Sequence, residues 1–585
     1  MQPSNQKHKK TKGKPSNNLE FKTPILLAGI IIISFLAFSP SLKNGFTNWD
    51  DPALIIDNLL IKDFSIHNIK RIFTEVYFAN YQPLHIFSYM LEYKAFGLNP
   101  TGYHSVSLLM HLLNVLLVYL LILKLSSGNK TVALITALLW SLSPMRTESV
   151  CWAAERKDLL YSIFFFASLI TYITYLTKNS NFSIDATRPT SGNKIQIKYL
   201  ILTFVFFILS VFSKTMAVSI VPVLFLLDYY YGRNFSFKSV LEKAPFILLS
   251  VVMGMISVYA SKDEGSISSN MIFTFSDRVF FASHNLINYI VKSIIPYNQS
   301  AFYDYIVKSG NYLPVKYYLS AFIVLAGIVF VFITARKNKL LLLVSGYFFC
   351  TVFLILMLIP VGPTVFSERY TYVPSVLLFF IIVSYCYDYF NKIKMLKIPV
   401  ILVLTIYSIA LFVKTQDRSK VWNNSISLWT DASKKFPSSP YIYNNLGDAY
   451  FNAGNNDASI YNFSKAIQYD SLYAQAWANR GNAFGQAGKP KESLNDLNKA
   501  ILLNPTEPKF FNKRGQANAI NGNIKEAIAD FNQTIKLNPD FSEAYFNIGI
   551  TYLNQHLQDS ACIYLKKAVA MGFDKAIIPN NDICR

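Results

Sequence analysis

Cysteine and charge are both scarce in this chain. Its 585 residues include five cysteines, with no CxxC pair or Cys/His cluster, so a disulfide-rich scaffold and a zinc module are excluded. Charged residues make up 15% of the sequence and hydrophobic residues 52%, whereas soluble domains carry about 25% charged residues. This composition places much of the chain in lipid.

Sequence motifs for nucleotide and hydrolytic chemistry are missing as well. No GxGxxG, Walker, HExxH or GxSxG pattern stands in a context that supports it. Acidic residues number 34 against 55 basic ones, and the net charge is +21. Because the excess lies in the N-terminal tail and in loops between apolar runs, it follows the positive-inside rule of membrane proteins rather than a DNA-binding face.

Eleven apolar runs predict membrane-spanning helices. They cover residues 24–40, 105–125, 131–144, 158–176, 198–213, 216–230, 244–260, 315–335, 340–360, 371–388 and 397–414. The predicted fold class is all-α, with a polytopic membrane helical bundle of about 11 spans in residues 24–414. A shorter run, 279–295, is broken by polar residues and is interpreted as interfacial or re-entrant.

Loop charge sets the predicted topology. The basic tail, residues 1–23, stays in the cytoplasm, and eleven spans then place the C-terminus outside. The largest outside loop is 41–104, and the shorter ones include 145–157 and 361–370. The first loop is rich in aromatic and polar residues, so we expect short helices packed on the membrane surface. Ordered loops of this length are often functional.

A spacing of 34 residues marks the C-terminal region. It separates four glycines, Gly447, Gly481, Gly515 and Gly549. This is the tetratricopeptide period, and it predicts an α-solenoid of helix pairs. We predict a linker with a partial repeat helix in residues 415–439, four repeats in 440–576 whose concave face binds protein, and a tail at 577–585. Cys562 and Cys584 form a disulfide if the array faces an oxidising compartment. The alternative is that both remain free thiols.

An acidic pair, Asp50 and Asp51, stands a few residues beyond the first span. Neighbouring carboxylates at a membrane surface are costly unless they are solvated or paired with cations. Such a pair is suited to act as a general base or to bind a divalent cation. The alternative is a helix start, because Asp followed by Asp-Pro suits an N-cap.

Charged groups recur in other outside loops. The second outside loop carries Arg146, Glu148, Glu155, Arg156, Lys157 and Asp158. Cations in a short outside loop oppose the charge rule, so they pair with the local acids or bind an anion such as phosphate. An internal salt-bridge cluster is the alternative. The last short loop adds Glu368, Arg369 and Tyr370.

Two further side chains are candidates for the same site. They are His85 in the first loop and Lys214 at the outer end of a span. A lone histidine more often has a structural role, and a lysine at the end of a span also extends its ammonium group to the interface without binding a substrate.

Five stretches carry a resemblance to a known family. They are residues 46–52, 81–84, 96–104, 148–158 and 368–374. Followed by the repeats, they resemble the transmembrane and tetratricopeptide-repeat-containing O-mannosyltransferases and their bacterial relatives, which belong to the GT-C class of membrane glycosyltransferases. The resemblance covers nearly the whole chain in the right order.

The resemblance implies a polyprenyl-phosphate-linked sugar as donor and transfer at the non-cytoplasmic face. It implies Asp50 and Asp51 as the catalytic acidic pair. It also implies that Arg156, Lys157 and Arg369 hold the leaving lipid phosphate, where cations stabilise the developing negative charge.

The chain departs from the family pattern at three positions. Relatives usually have arginine where Gln82 stands, and they tend to have histidine where Ser143 and Arg146 stand. These departures bear on activity and on the donor sugar, which the sequence does not identify.

The sequence therefore predicts an integral membrane glycosyltransferase that transfers a sugar from a polyprenyl phosphate to a hydroxyl of a protein or another acceptor. No cofactor is implied with certainty, and a divalent cation is the one considered. The predicted location is the bacterial inner membrane with periplasmic repeats, or alternatively the endoplasmic reticulum membrane with lumenal repeats. Two other hypotheses are a membrane-anchored tetratricopeptide scaffold without enzymatic activity and a transporter or lipid flippase.

Overall fold

The fold is α-helical in a computed structural model of the chain. The structure describes residues 17–178, 196–263 and 273–576, except 307, 309, 311, 336, 357, 359–363, 394 and 396, together with residues 582 and 584. Within these residues there is no β-strand, and a single bridge joins Tyr77 to Asn80. The predicted all-α class is confirmed. Most of the basic tail, the tip of the last outside loop and most of the tail at 577–585 lie outside the described residues.

A helix occupies each of the eleven predicted spans. These helices are Asn17–Phe38, Pro100–Leu125, Lys130–Ser141, Arg156–Lys178, Ile197–Ser213, Ile220–Tyr230, Ala244–Asp263, Val315–Ala335, Lys339–Val352, Ser375–Lys392 and Lys397–Val421. Five segments among the described residues are long and apolar enough to cross a bilayer. They are Lys22–Lys43, Pro100–Leu125, Ala153–Lys178, Val315–Ala335 and Ile398–Val421. The chain thus carries candidate membrane helices, and the count of about 11 spans stays a prediction.

Several helix boundaries differ from those predicted by hydropathy. The helix predicted for 105–125 begins at Pro100, where the Asn99 side chain accepts a hydrogen bond from the Thr101 amide at 3.2 Å. The last helix continues seven residues beyond 414, to Val421. These added residues are mostly polar, and one of them, Arg418, pairs with Asp431 at 2.6 Å. The run 279–295 belongs to a 20-residue helix, Phe275–Ile294.

The first two loops predicted to lie outside, called the outer loops below, are largely helical. The first contains a π-helical turn, Pro52–Ile56, followed by the helices Leu59–Lys62, Ile66–Thr74 and Pro83–Phe96. The second contains the helix Thr147–Cys151 between the 3-10 turns Pro144–Arg146 and Ala153–Glu155. The residues of these three second-loop elements are buried, so the loop is part of the protein core.

The C-terminal repeats form four consecutive helix pairs. The pairs are Pro440–Asn452 with Asn456–Tyr469, Ala474–Gln486 with Pro490–Leu503, Pro508–Ile520 with Ile524–Leu537, and Ser542–Asn554 with Gln558–Ala570. At Gly515 the paired helices approach so closely that a Cβ atom would lie 2.6 Å from the Phe531 ring. This close approach explains glycine at the 34-residue spacing. A disulfide joins Cys562 to Cys584.

The repeats contact the first outer loop through the linker helix Ser425–Lys435 and the first repeat helix Pro440–Asn452. The Gly45 amide donates to the Asn423 carbonyl at 2.8 Å, and the Asn48 side chain donates to Asp448 at 2.8 Å. The first loop and the start of the array therefore lie at the same end of the bundle.

Candidate functional site

Charged side chains from three outer loops meet at this end of the bundle. We define the charged cluster as Asp50, Glu148, Glu155, Lys157, Asp158, Lys214 and Arg369. Ion pairs connect its members, and Asp50 interacts electrostatically with Lys157, Glu155 and Arg369. Loops that are more than 200 residues apart in sequence are therefore joined through Glu148 and Arg369.

The two members of the acidic pair have different surroundings. Asp51 is buried, and both of its carboxylate oxygens accept hydrogen bonds. Oδ2 accepts from the Thr47 amide at 2.6 Å and the Thr47 hydroxyl at 2.9 Å, and Oδ1 accepts from the Ala154 amide at 2.8 Å. Burial outweighs these bonds and raises the pKa of Asp51 to about 7. Asp51 thus holds the first loop against the second.

Asp50 is only partly buried, and within the described part of the chain no hydrogen bond to its carboxylate is found. Burial raises the pKa of Asp50, whereas the positive charge of Lys157 lowers it. A carboxylate with a raised pKa and an unused oxygen is suited to accept a proton from a hydroxyl group. The geometry therefore distinguishes Asp50 from Asp51, which the sequence treats as one pair.

Arg369 and Lys157 are the accessible cations of the cluster. Glu155 lies between them, 3.0 Å from the Lys157 ammonium and 3.4 Å from Arg369 Nε. The Arg369 amide donates to Glu148 at 2.9 Å, and its guanidinium pairs with the same carboxylate. The side chains of Lys157 and Arg369 keep 14% and 12% of their surface exposed. Both cations can therefore contact an anion while their acidic partners hold them in place.

The buried side of the cluster contains Asp158 and Lys214. Their side chains form an ion pair, and the Ser149 hydroxyl donates to Asp158 at 3.3 Å. The Lys214 ammonium also lies 5.2 Å from the centre of the Tyr370 ring, and the Arg369 guanidinium lies 4.9 Å from the same ring. Tyr370 therefore connects the two cations through cation–π contacts.

Arg156, predicted to lie beside Lys157 at the phosphate, forms its ion pair with Glu92 rather than with an acid of the charged cluster. Its buried guanidinium pairs with Glu92, donates to the Tyr103 carbonyl at 2.8 Å and to the Ser107 hydroxyl at 3.3 Å. Its plane also lies 4.9 Å from the centre of the Tyr89 ring. These contacts favour a structural role for Arg156, and its place at the phosphate stays a prediction.

Arg146 and Glu368 are buried, and their hydrogen bonds are with residues outside the cluster. Arg146 donates to the hydroxyl groups of Thr371, at 3.1 Å, and Ser375. Burial lowers the pKa of Arg146 to about 9. Glu368 accepts from the Ser300 amide at 2.9 Å and the Tyr303 hydroxyl at 2.6 Å. Both side chains fix the turn Glu368–Thr371 that carries Arg369, which is a positioning role.

His85 is buried below the second loop. The Tyr89 hydroxyl donates to the Ala153 carbonyl at 2.6 Å, so His85 Nε2 donates to the Tyr89 oxygen at 2.8 Å. Burial holds the pKa of His85 well below its ordinary value. The ring is therefore neutral at physiological pH, and its observed contact is structural.

An aromatic group borders the cluster, and the sequence analysis did not assign it a role. Trp49 stacks on Trp152 with ring centres 4.5 Å apart, and it contacts Trp429 at 5.1 Å. Phe302 stacks on Tyr441 of the first repeat helix at 4.6 Å. Trp49 and Trp152 stand beside charged residues in the motif stretches, which is a usable signal. The sequence gives no comparable signal for Tyr441.

The cluster's balance of charge affects what it can bind. Its four carboxylates outnumber its three cations, but burial raises the pKa of Glu148 to about 7. The positive charge of Arg369, which is paired with Glu148, opposes this rise. Among the described residues, no group of three or more His, Cys, Asp or Glu side chains is arranged to hold a metal ion, and the divalent cation stays a prediction.

Two repeat families match the C-terminal region. A family described as "TPR repeat" matches residues 447–488 and 517–555, and one described as "Tetratricopeptide repeat" matches residues 474–507. The predicted repeats are thereby confirmed. Solved structures of MamA and of YrrB, a TPR protein with an unusual peptide-binding site, align to 26% and 27% of this chain and to 88% and 81% of their own chains. Their identities are 28% and 22%, and both TM-scores are 0.23.

Curated relatives are named protein O-mannosyl-transferases. F38B6.6 of Caenorhabditis elegans is 23% identical over 474 residues, which are 76% of this chain and 63% of that protein. TMTC3 of Homo sapiens is 30% identical over 166 residues, 26% of this chain and 17% of that protein. The chain thus spans less than two thirds of the length of these relatives. The predicted resemblance to this family is confirmed.

Proposed function

We propose that this chain, which resembles the tetratricopeptide-repeat-containing protein O-mannosyltransferases over most of its length, is a membrane glycosyltransferase. It transfers a sugar from a polyprenyl-phosphate donor to a hydroxyl group of a protein acceptor. The observation that carries the proposal is a partly exposed carboxylate, Asp50, whose electrostatic partners include the accessible cations Lys157 and Arg369. A general base and a phosphate site are thus adjacent.

In the proposed reaction the oxygen of the acceptor hydroxyl attacks the anomeric carbon of the sugar. Asp50 accepts the proton that this hydroxyl loses. The bond from that carbon to the phosphate oxygen breaks, and the bonding electrons leave with the polyprenyl phosphate. Lys157 and Arg369 stabilise the negative charge that develops on the departing phosphate. The guanidinium of Arg369 offers two parallel N–H donors for phosphate oxygens.

The buried acids support these two cations. Glu155 and Glu148 raise the pKa of Arg369 although burial alone lowers it, so the guanidinium remains charged. Glu155 contacts both cations, which fixes their spacing before a substrate arrives. Such preorganisation removes the cost of reorienting charges during the reaction.

The repeats supply the proposed site for a protein acceptor. Asn445, Asn479 and Asn547 share one repeat position, and Lys513 replaces asparagine in the third repeat. A cavity of about 430 Å³ on the array is lined by Lys513, Gln516 and Asn547 among others. Side-chain amides both donate and accept hydrogen bonds, so this surface suits the backbone of an extended polypeptide.

The proposed location follows from the cluster and the repeats being at one end of the bundle. We infer that this is the non-cytoplasmic end, in the bacterial inner membrane with the repeats in the periplasm or, alternatively, in the endoplasmic reticulum membrane with the repeats in the lumen. A polyprenyl-phosphate donor then approaches from within the bilayer, and a protein acceptor approaches along the array.

Transfer of labelled sugar by the purified, full-length protein tests the proposal. Polyprenyl-phosphate mannose and other polyprenyl-phosphate sugars are offered with a serine- and threonine-containing protein. Asp50→Asn is compared with Asp57→Asn, a matched change at an exposed aspartate of the same loop. We expect transfer to fall roughly 100-fold or more only in Asp50→Asn. Equal activity of wild type and Asp50→Asn would refute the assignment of the base.

A membrane-anchored scaffold without catalytic activity is the second candidate, and the amide-rich cavity of the array favours it. Under this alternative, partner binding persists in Asp50→Asn and no polyprenyl-phosphate sugar is consumed by the wild type. Measuring donor consumption and partner binding on the same preparation separates the two functions.

A further inference from the structure

The first repeat is joined to the loop that carries Asp50 by a saturated asparagine. The Asn48 side chain donates to the Asn445 carbonyl at 3.0 Å and to Asp448 at 2.8 Å. Its side-chain oxygen accepts from the Trp429 indole at 2.8 Å, and the backbone N–H of Asn48 donates to the Ser425 hydroxyl at 2.8 Å. Asn48 precedes Asp50 by two residues, so the position of the carboxylate depends on the start of the array.

Tyr441 of the same repeat helix belongs to the aromatic group beside this loop. Its ring is stacked on Phe302, with ring centres 4.6 Å apart and an angle of 12° between the planes. It also lies edge-on to Trp429 at 6.0 Å. Burial, followed by the negative charge of Asp50, raises the pKa of the Tyr441 hydroxyl to about 12, and hydrogen bonds with Trp49 and Asn445 oppose that rise. The Tyr441 ring thus packs on Phe302 and Trp429, which also contact Trp49 next to Asp50, and its hydroxyl is neutral at physiological pH.

One face of the first repeat helix carries polar side chains, and the second repeat has a polar side chain on the corresponding face. Tyr441, Asn445 and Asp448 are spaced by four and three residues, so they lie on one side of the helix. The corresponding side of the second repeat carries Asn479, whose amide donates to Asn444 at 3.0 Å and whose oxygen accepts from Lys513 at 2.7 Å. Hydrogen-bonded polar side chains thus join the first repeat to the third.

We propose that Tyr441 and Asn445 of the first repeat complete the acceptor side of the reaction site, so that the array takes part in orienting the reacting hydroxyl as well as in recruitment. This inference rests on the proposed glycosyltransferase function. In this arrangement the helical bundle supplies the cations on one side of Asp50, and the first repeat helix forms another side of the reaction site. A serine or threonine hydroxyl then donates to Asp50 and accepts from Tyr441, while the acceptor backbone follows the polar side chains of the repeats.

The two roles of the array differ in their effect on short acceptors. If the array only recruits, a serine tripeptide cannot reach the distant repeats, and its transfer is independent of Tyr441. If Tyr441 orients the hydroxyl, the loss of its O–H affects the tripeptide as well. Tyr441→Phe keeps the aromatic stack on Phe302 and removes only the hydroxyl.

The test uses full-length protein with a serine tripeptide and a long serine-containing polypeptide as acceptors. Tripeptide binding by calorimetry and sugar transfer are both measured for wild type, Tyr441→Phe and Tyr461→Phe. The last is the control, because Tyr461 is 59% exposed on the second helix of the same repeat. We expect Tyr441→Phe to weaken tripeptide binding, or its kcat/KM, roughly 3- to 10-fold, with the KM for the donor unchanged and Tyr461→Phe like wild type.

The outcomes separate this inference from the function on which it rests. Tripeptide binding that weakens in Tyr441→Phe without any sugar transfer by wild type supports the acceptor site and refutes the glycosyltransferase. Equal binding and transfer in wild type and Tyr441→Phe overturn the inference and leave the glycosyltransferase intact. Failure of the wild type to bind or use the tripeptide also overturns it, because the acceptor contact is then confined to the distant repeats.

Discussion

The Ala154 amide donates a hydrogen bond of 2.8 Å to Asp51, and this contact joins the first outer loop to the second. Together with two bonds from Thr47, it uses the oxygens of the Asp51 carboxylate. Among the described residues, no such bond to the neighbouring Asp50 carboxylate is found. Under the proposed function the two adjacent aspartates have a structural and a chemical role, and substitution should separate the two.

Asp51→Asn should destabilise the fold, whereas Asp50→Asn should not. The asparagine side chain has one oxygen and one NH2 group, so its NH2 faces an N–H donor of Thr47 or Ala154 and at least one buried bond is lost. We expect the free energy of unfolding to fall by roughly 2 kcal/mol or more. Thermal unfolding in detergent measures the effect. An unfolding midpoint that falls in Asp50→Asn and not in Asp51→Asn would contradict the division of roles.

The stabilising contribution of Asp51 should depend on pH. Burial raises its pKa from 3.8 to about 7, so the folded protein binds a proton more tightly than the unfolded chain does. The contribution is fully present below pH 3.8 and is lost as the pH rises through about 7. The stability of wild type relative to Asp51→Asn should therefore decrease between pH 5 and pH 8, and unfolding midpoints of both proteins across this range provide the measurement. A difference that grows with pH would contradict the sign.

Lys157 and Arg369 should affect the donor, and Arg156 should not. Because charge-assisted bonds to phosphate are lost, Lys157→Gln and Arg369→Gln are expected to reduce kcat/KM for the donor roughly 10- to 100-fold. Arg156→Lys is expected to lower the unfolding midpoint, because lysine cannot replace the contacts with Glu92, Tyr103 and Ser107, while the donor KM stays near that of wild type. Lys94→Gln, at an exposed cation of the first loop, is the control.

Initial rates at varied donor concentration, together with thermal unfolding, distinguish these variants. A higher donor KM in Arg156→Lys with an unchanged unfolding midpoint would support the phosphate role predicted for Arg156 from the sequence. Normal donor kinetics in both Lys157→Gln and Arg369→Gln would remove the phosphate site proposed here.

Much of the fold could be predicted because its signals are local. Gly515 marks a helix pair through its immediate contact with Phe531, and apolar runs indicate helices without knowledge of their partners. Hydropathy is less informative where a helix continues through polar residues, as at Arg418. It predicts an end of the last span at 414, although the helix continues to Val421.

The candidate site is harder to predict, because it depends on the direction in which each side chain points and on contacts between residues that are far apart in sequence. Arg156 and Lys157 are adjacent in sequence, but successive side chains on a helix point about 100° apart. Arg156 therefore contacts Glu92, whereas Lys157 contacts Glu155. Tyr441 lies 391 positions after Asp50 in the sequence, and no local sequence pattern connects the two residues. Charge in the loops indicated the cluster's members but not which of them share a surface.

The disulfide between Cys562 and Cys584 should stabilise the end of the array and report its side of the membrane. The two cysteines are 22 residues apart, and closing a loop of this length contributes about 3 kcal/mol. We expect Cys584→Ser to lower the unfolding midpoint of the repeats while leaving sugar transfer to the tripeptide unchanged. Maleimide labelling of protein from sealed vesicles, before and after reduction, measures the oxidation state. Two thiols that label without reduction would contradict the placement of the array in an oxidising, non-cytoplasmic compartment, since a cytoplasmic array would keep both cysteines reduced.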